Sequence, residues 1–312
     1  MTRSSLVKRL RRGDEAAYLL TFAFALIVIL ITMAVAYELW GESALARQKF
    51  GWGFLVTRTW DPVAEDFGAA PFIYGTLVTS LLALAIAVPL GIAVALFLAE
   101  LAPRQVSDAT ALLVDLLAAV PSVIYGLIAV SVLVPLMRDP IAPMLKAAFG
   151  SLPIMSGPAY GVGYLTAGLV LAVMIVPFIV SVSREVLLAV PREQREAALA
   201  LGSTRWETTW HVVLPYARLG ITGAVLLALG RALGETMAVT MVIGNRPDIS
   251  ASLLAPGYSM AAVIANEFTE ATSDLHVHAL VGVGLVLFVL TMFINAVARL
   301  LILMTTRQGT AQ

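Results

Sequence analysis

Two side chains of opposite charge lie within an otherwise apolar run of this sequence. Residues 230–239 read GRALGETMAV and fall inside the run from 218 to 244, so Arg231 and Glu235 are predicted to lie deep in a bilayer. A planar guanidinium with forked donors suits an oxyanion, and its charge does not titrate away. The pair therefore predicts either an anion pathway or a structural ion pair that joins two helices.

The spacing of the pair predicts its depth and its geometry. Arg231 stands thirteen residues beyond Arg218, which is about 20 Å along a helix at a rise of about 1.5 Å per residue, close to mid-membrane. An arginine at this depth costs about 2.5 to 3.5 kcal/mol, so it normally faces a bundle interior or a watery cavity. Glu235 follows four residues later and is predicted to share the face of Arg231, where it neutralises the guanidinium.

The composition requires a membrane to position these charges. Hydrophobic residues make up 60% of the 312 residues and charged residues 13%, whereas soluble domains have about 45 to 50% and about 25%. The mean hydropathy is +0.91. There is no cysteine, which excludes a disulfide framework and thiolate chemistry. Six windows have the length of about 20 apolar residues that a spanning helix needs: 17–40, 73–99, 109–136, 159–182, 218–243 and 278–304.

The basic residues predict the orientation of these spans. With the N-terminus inside, thirteen Lys and Arg residues fall in cytoplasmic segments and six in outer segments. Such an excess is typical of the cytoplasmic face, so both termini are predicted to be cytoplasmic. The first window follows a basic tail, but it is too long for a signal peptide and lacks a clear cleavage site. We therefore interpret it as a retained span.

Two outer segments have distinct compositions. Residues 41–72 carry four aromatic residues among glycines and charges, which indicates a small folded or interfacial segment. The aromatic side chains are either a belt at the headgroups or a docking surface; they are Trp52, Phe54, Trp60 and Phe67. Residues 252–268 are apolar but broken at Pro256 and Gly257 and are too short to span, so a re-entrant or surface helix is predicted.

The longest cytoplasmic connection, residues 190–215, predicts a helix, a glycine turn and a second short helix. An alanine-rich run favours the first helix, and Gly202 is predicted to stop it. Thr204 followed three residues later by Glu207 fits a capping box that starts the second helix, which Pro215 is predicted to end. The product is a small-residue surface on the membrane face that a partner can approach closely.

This connection resembles the EAA loop of the ABC-importer permeases. The matching residues, at the expected spacing, are Glu196, Ala197, Ala198, Gly202, Val212, Leu214 and Pro215, of which only Val212 departs, standing where isoleucine is common. In that family the loop seats a coupling helix in a groove of the ATPase subunit, so the resemblance implies the same role here. The chain has no G-x-x-x-x-G-K-[ST] motif, so a separate subunit must hydrolyse ATP.

Further stretches resemble the PstC subfamily of phosphate-importer permeases: 67–80, 120–127, 231–239 and 255–268. The resemblance implies an all-α integral membrane protein with six transmembrane helices, the type I ABC importer permease fold, in the bacterial inner membrane. It also implies phosphate as substrate, no cofactor, and a complex with a PstA-like permease, a PstB-like ATPase dimer and a PstS-like binding protein. The lipid bilayer is the other expected partner, and no nucleic acid is expected.

These observations predict four regions. They are a cytoplasmic tail (1–16), a first span with its outer loop (17–72), a permease core of five spans (73–304) and a second cytoplasmic tail (305–312). No role is carried over to residues 1–66, where the resemblance is less distinctive.

Weaker pathway candidates lie in the third span. Asp115 is near its predicted cytoplasmic end, where a structural role competes with a pathway role. Ser122 and Tyr125 flank a break predicted at Pro121 and Gly126, where freed backbone groups can line a cavity. The alternative is that they only kink and repack the helix. The three histidines lack a convincing ligand set, so no metal is predicted.

Two other functions are compatible with part of the sequence. An ABC permease for molybdate or sulfate would use the same arginine, and only the longer subfamily stretches favour phosphate. An ion-coupled secondary transporter would use Glu235 as a proton carrier. That class often has inverted repeats and broken helices at the midplane. We find no convincing internal repeat, and this alternative leaves the EAA loop unexplained.

Overall fold

The structure is a computed structural model that describes the backbone of residues 14–309 and the side chains of residues 17–300. The predicted cytoplasmic tails, 1–16 and 305–312, lie outside the described side chains. Within the described chain, six helices are long and apolar enough to cross a membrane: Ala17–Glu42, Ala70–Leu101, Ser122–Phe149, Tyr164–Leu188, Arg205–Leu233 and Asp274–Leu300. The prediction of an all-helical protein with six spans is confirmed.

The first half of the chain contains seven helices and a two-stranded antiparallel hairpin within the described residues. Their bounds are α1 (Asp14–Glu42), α2 (Ala44–Phe50), β1 (Trp60–Asp61), β2 (Asp66–Phe67), α3 (Ala70–Leu96), α4 (Arg104–Ala118), α5 (Ser122–Ile128), α6 (Val134–Leu136) and α7 (Ala142–Phe149). Helix α3 ends in a wider turn at Phe97–Leu101, and wider turns also join α5, α6 and α7 into one span.

The second half of the described chain consists of helices and loops. Its helices are α8 (Tyr164–Leu188), α9 (Arg192–Ala200), α10 (Arg205–Thr208), α11 (Leu214–Leu233), α12 (Met237–Ile243), α13 (Met260–Glu267) and α14 (Asp274–Gly309). A wider turn at Thr209–Val213 makes α10 and α11 one continuous span.

Two predicted windows straddle breaks between helices. The window 109–136 covers parts of α4 and α5, which are separated at residues 119–121. Pro121 causes this break because it has no N–H to donate and disfavours a helical conformation in the residue before it. The window 218–243 covers parts of α11 and α12, which are separated at residues 234–236. Neither window is one helix, so both predictions were wrong in this respect.

Helix α8 forms the centre of the bundle. It is the most buried of the six spans in the described chain, with 61% of its apolar window inside the protein. Small side chains of α3 and α11 join its buried cluster, including Ala87, Ala228 and Ala232. Small residues let helix backbones approach closely in a membrane protein. Helix α11, which carries Arg231, is therefore held against the centre of the bundle.

The outer segment 41–72 is folded onto the bundle. Phe54, Trp60 and Phe67 are buried and pack in one cluster with residues of the sixth span. Trp52 alone of the four predicted aromatic residues is exposed, with 87% of its surface accessible. The prediction of a small folded segment is confirmed. Because the three buried rings contact one another and the bundle, they are neither a headgroup belt nor a docking surface.

The second outer stretch, 252–268, is a loop followed by the buried helix α13. The Ser259 hydroxyl accepts a hydrogen bond from the Ala262 N–H at 3.2 Å and caps this helix. The Met260 N–H donates to the Thr76 hydroxyl of α3 at 2.9 Å. The first turn of the helix is thereby packed against the bundle, whereas Ala265 and Phe268 near its end are exposed.

Candidate translocation and coupling sites

Arg231 and Glu235 are separated by the end of a helix. Helix α11 ends at Leu233 and Gly234 is not helical, so Glu235 does not continue the face of Arg231. Glu235 Oε1 instead accepts a hydrogen bond from the Ala238 N–H at 3.3 Å, in the first turn of α12. Among the side chains of residues 17–300, no ion pair within 4.0 Å includes Arg231. The predicted neutralising pair was wrong because it assumed a continuous helix.

The helices that follow the two breaks pack against each other. Helix α12 packs against α5 so closely that a Cβ on Gly126 would lie 3.2 Å from the Cα of Ala238. The neighbouring residue, Tyr125, packs against the central buried cluster, which also contains Ala232, the residue after Arg231. The Tyr125 hydroxyl donates to the Leu117 carbonyl oxygen at 2.8 Å, across the first break. Tyr125 and a neighbour of Arg231 in sequence thus share one cluster, although they come from separate stretches of sequence.

The surroundings of Arg231 are those of a partly solvated site. Arg231 is half-buried, and the alanines on either side of it on α11, Ala228 and Ala232, are buried in the central cluster. Gly230 has open space where a Cβ would stand. The guanidinium therefore lies at the edge of the packed core and is not enclosed within it, which leaves its donors available to an anion.

The remaining pathway candidates are divided between two places. Ser122 is half-buried and begins α5, one turn before Tyr125. Asp115 is exposed on α4, a helix separate from the third span, and it borders a small recess with Ser181 and Arg184 of α8. The structure brings Ser122 to the break and places Asp115 beside the C-terminal half of α8.

The connection of residues 190–215 forms the predicted helix, turn and helix. Helix α9 ends at Ala200, and Gly202 has a φ of 92° in the turn that follows. This left-handed conformation favours glycine. The Thr204 hydroxyl accepts from the Glu207 N–H at 3.2 Å, and a Glu207 carboxylate oxygen accepts from the Thr204 N–H at 2.8 Å. The predicted glycine turn and capping box are both confirmed.

Two details of this loop differ from the prediction. Ala198 is buried, with 8% of its surface accessible, so it packs inside the chain, whereas Glu196 and Ala197 are exposed. Pro215 does not end a helix. It lies inside the continuous span Arg205–Leu233, directly after the wider turn at Thr209–Val213.

The exposed face of the loop contains apolar side chains that the sequence analysis missed. Leu201 is 89% accessible, and Trp206 and Trp210 are exposed and stacked with their ring centroids 5.9 Å apart. Periodicity does not identify these residues, because each lies in a short helix or turn. Two features of the sequence could have identified them: Leu201 is an apolar residue next to the turn glycine, and Trp206 and Trp210 are four residues apart, the spacing of one helix face.

The six spans, the broken helices and the helix–turn–helix of residues 192–208 define a membrane permease of the ABC importer class. A bacterial ABC transporter involved in import of the acidic polysaccharide alginate superposes with a TM-score of 0.59. The likeness is 18% identical in sequence and covers 93% of this chain and 98% of that one. The MetNI methionine ABC transporter superposes with a TM-score of 0.50 at 18% identity, over 75% of this chain and 93% of that one. The fold is that of a type I ABC importer permease.

Sequence relatives identify the family. Residues 87–305 match the family described as binding-protein-dependent transport system inner membrane component. The phosphate transport system permease protein PstC of Mesorhizobium japonicum is 46% identical over 97% of this chain and 94% of its own length. The PstC of Xylella fastidiosa strain Temecula1 is 47% identical over 93% and 90%, and the probable PstC of Methanocaldococcus jannaschii 35% over 95% and 96%. The chain belongs to this transport family and, within it, to the PstC permease proteins.

Proposed function

We propose that this chain is the permease subunit of an ATP-driven phosphate importer and forms half of its translocation pathway. The observation that carries the proposal is the half-buried Arg231 guanidinium next to the helix break at residues 234–236, outside every ion pair of the described side chains. A guanidinium without a neutralising carboxylate attracts an anion, and its forked donors fit a tetrahedral oxyanion. The phosphate transport names of the relatives supply the substrate.

In this proposal, Arg231 contacts phosphate during its passage, and Ser122 and Tyr125 contribute hydroxyl groups at the break. Glu235 has a different part: it caps α12 and places a negative charge near the path. That charge limits how tightly the anion is held, and transport requires release as well as entry. Asp115 is left out of the pathway because it lies beside the cytoplasmic half of α8.

Energy comes from a separate subunit in the proposed mechanism. A PstB-like ATPase dimer binds the EAA loop, and the exposed side chains of Leu201, Trp206 and Trp210 supply an apolar contact surface. ATP binding closes the ATPase pair, which draws the coupling helices together and switches the spans between inward-facing and outward-facing states. A PstA-like permease forms the other half of the pathway, and a PstS-like protein delivers phosphate from outside. The membrane is the bacterial inner membrane, with both termini cytoplasmic.

Reconstitution with these three partners in liposomes tests the function. Uptake of labelled phosphate into the lumen should require ATP on the side of the ATPase and the binding protein on the other side. Molybdate and sulfate, offered singly at the same concentration, should be imported poorly. ATP-dependent import of one of these anions without phosphate import would contradict the substrate assignment. Phosphate uptake driven by an ion gradient without ATP would contradict the importer class.

A further inference from the structure

Arg195, which immediately precedes the EAA residues on α9, joins three parts of the chain. Its Nη2 lies 2.7 Å from Glu100 Oε1, and its Nε lies 3.3 Å from the same oxygen. Nη2 also donates to the Leu187 carbonyl oxygen at 2.8 Å, and Nη1 donates to the Val190 carbonyl oxygen. All three guanidinium nitrogens of Arg195 thus donate hydrogen bonds at the same time.

Each partner of Arg195 belongs to a different structural element from α9. Glu100 lies in the wider turn that ends the second span, and Leu187 lies in the last turn of the fourth span. Val190 follows that span. The last carbonyl groups of a helix have no partner within the helix and favour a nearby cation. The guanidinium therefore ties the first helix of the coupling loop to the cytoplasmic ends of two spans.

The ion pair is well shielded from solvent. The side chains of Arg195 and Glu100 are 20% and 12% accessible, respectively. Loss of one member of a shielded pair leaves the other charge without compensation, so the pair resists separation. Ion pairs between exposed side chains, such as Arg104 with Asp108 at 3.8 Å, are solvated and contribute little to holding two elements together.

We infer that Arg195 is a positioning residue that makes the coupling helix and the cytoplasmic ends of the second and fourth spans move as one body. The inference rests on the proposed function, because it gives the route by which an ATPase movement at α9 reaches the core of the permease. The second span packs against α8 at the centre of the bundle. A displacement of the loop is therefore transmitted to the bundle without being absorbed in the joint at residues 189–191.

Transport measurements give the first test. Arg195→Gln and Glu100→Gln should each lower the phosphate imported per ATP hydrolysed by about fivefold or more, the range of a typical coupling free energy. Arg195→Lys keeps the charge but cannot make all the contacts, so it should have an intermediate effect. Arg104→Gln changes an arginine outside residues 190–215 whose ion pair with Asp108 is exposed, and it is the matched control. If Arg195→Gln and Arg195→Lys both fail to assemble with the ATPase, the pair serves assembly, and the inference is overturned.

A distance measurement gives a readout that a merely stabilising residue would not change. Because the chain has no cysteine, two cysteines can be introduced into one chain and spin-labelled. One replaces Gln105, just beyond the second span, and the other replaces Glu193 on α9; both positions are exposed. In the assembled complex their distance should stay narrow and constant between the nucleotide-free and ATP-bound states. In Arg195→Gln the distribution should broaden and should change with ATP.

The two tests separate the inference from the proposed function. A wild-type distance that changes with ATP, or an Arg195→Gln variant with normal uptake per ATP and a narrow distance, would overturn the positioning role. A wild-type complex that hydrolyses ATP but imports another anion would contradict the phosphate assignment alone. The distance measurement does not depend on the substrate, so it would still decide the role of Arg195.

Discussion

Arg231 and Glu235 lie on opposite sides of one helix break: Arg231 is in the last turn of α11, and Glu235 accepts a hydrogen bond from the first turn of α12 at 3.3 Å. Glu235 therefore stabilises the start of α12, and Arg231 has no carboxylate partner within 4.0 Å among the described side chains. Tyr125, in the first turn of the other broken span, packs against the buried cluster that contains Ala232, the residue after Arg231. This arrangement makes the function of each charge separately testable.

The first prediction concerns the independence of the two charges. Arg231→Gln should lower ATP-dependent phosphate uptake by about tenfold or more, because a charge-assisted hydrogen bond contributes about 1.5 to 3 kcal/mol. Glu235→Gln keeps an acceptor for the Ala238 N–H and should retain most of the uptake. The double variant should assemble, hydrolyse ATP and import as little phosphate as Arg231→Gln. Uptake by reconstituted complexes checks this.

Arg218→Gln is the control for these variants, since Arg218 is exposed on the same helix, near its N-terminal end. It should leave uptake close to that of the wild type. Recovery of near wild-type uptake in the double variant would mean that Arg231 has no necessary contact with the anion and that the two charges do form a structural pair.

The second prediction concerns the contact with the ATPase. Leu201→Asp places a charge on the most exposed apolar residue of the coupling loop and should reduce the amount of ATPase that co-purifies with the permease. Ala198 is unsuitable for this test because it is buried, and Ala198→Arg would disturb the loop itself. Val63→Asp alters a residue of comparable exposure, 95%, in the hairpin. It should leave ATPase retention unchanged; equal losses in both variants would contradict the docking surface.

The third prediction concerns orientation. Single cysteines at Trp52 or Val63 should react in intact cells with a thiol reagent that does not cross membranes, and a cysteine at Trp206 should not. All three side chains are well exposed, with accessibilities of 87%, 95% and 59%. Tyr258 lies on the same side but is 4% accessible and is a poor labelling position. Labelling at 206 without labelling at 52 and 63 would reverse the proposed topology.

The fourth prediction concerns the packing of the second span on the outer loop. A Cβ on Gly75 would lie 2.0 Å from the Tyr258 carbonyl oxygen, so Gly75→Ala must push the backbone of the loop away. Overpacking of this kind costs about 1 to 3 kcal/mol. The variant should unfold at a lower temperature than the wild type in detergent. Gly223→Ala, where no heavy atom lies within 4 Å of the new Cβ, should not; equal thermal stability of the two variants would contradict this packing.

Local chemistry explains why much of the fold could be predicted from the sequence. The length of an apolar run is a property of one segment, and so is the reciprocal capping of Thr204 with Glu207. The predicted windows failed at residues 119–121 and 234–236, because hydropathy does not distinguish a continuous span from two helices in sequence. Pro121 was a signal for the first break. Gly234 alone was a weaker one for the second.

The sequence by itself therefore determined the class of the protein: an all-helical permease with six spans, a helix–turn–helix coupling loop and an arginine inside an apolar run. Only the tertiary structure decided which residues meet. It separated Glu235 from Arg231 by a helix break, buried Ala198, and joined Arg195 to Glu100 across 95 residues of chain. These features depend on how segments distant in sequence pack. The burial of Ala198 requires close approach of neighbouring elements, and the contact of Arg195 with Glu100 requires the pairing of two shielded charges. No short segment contains that information.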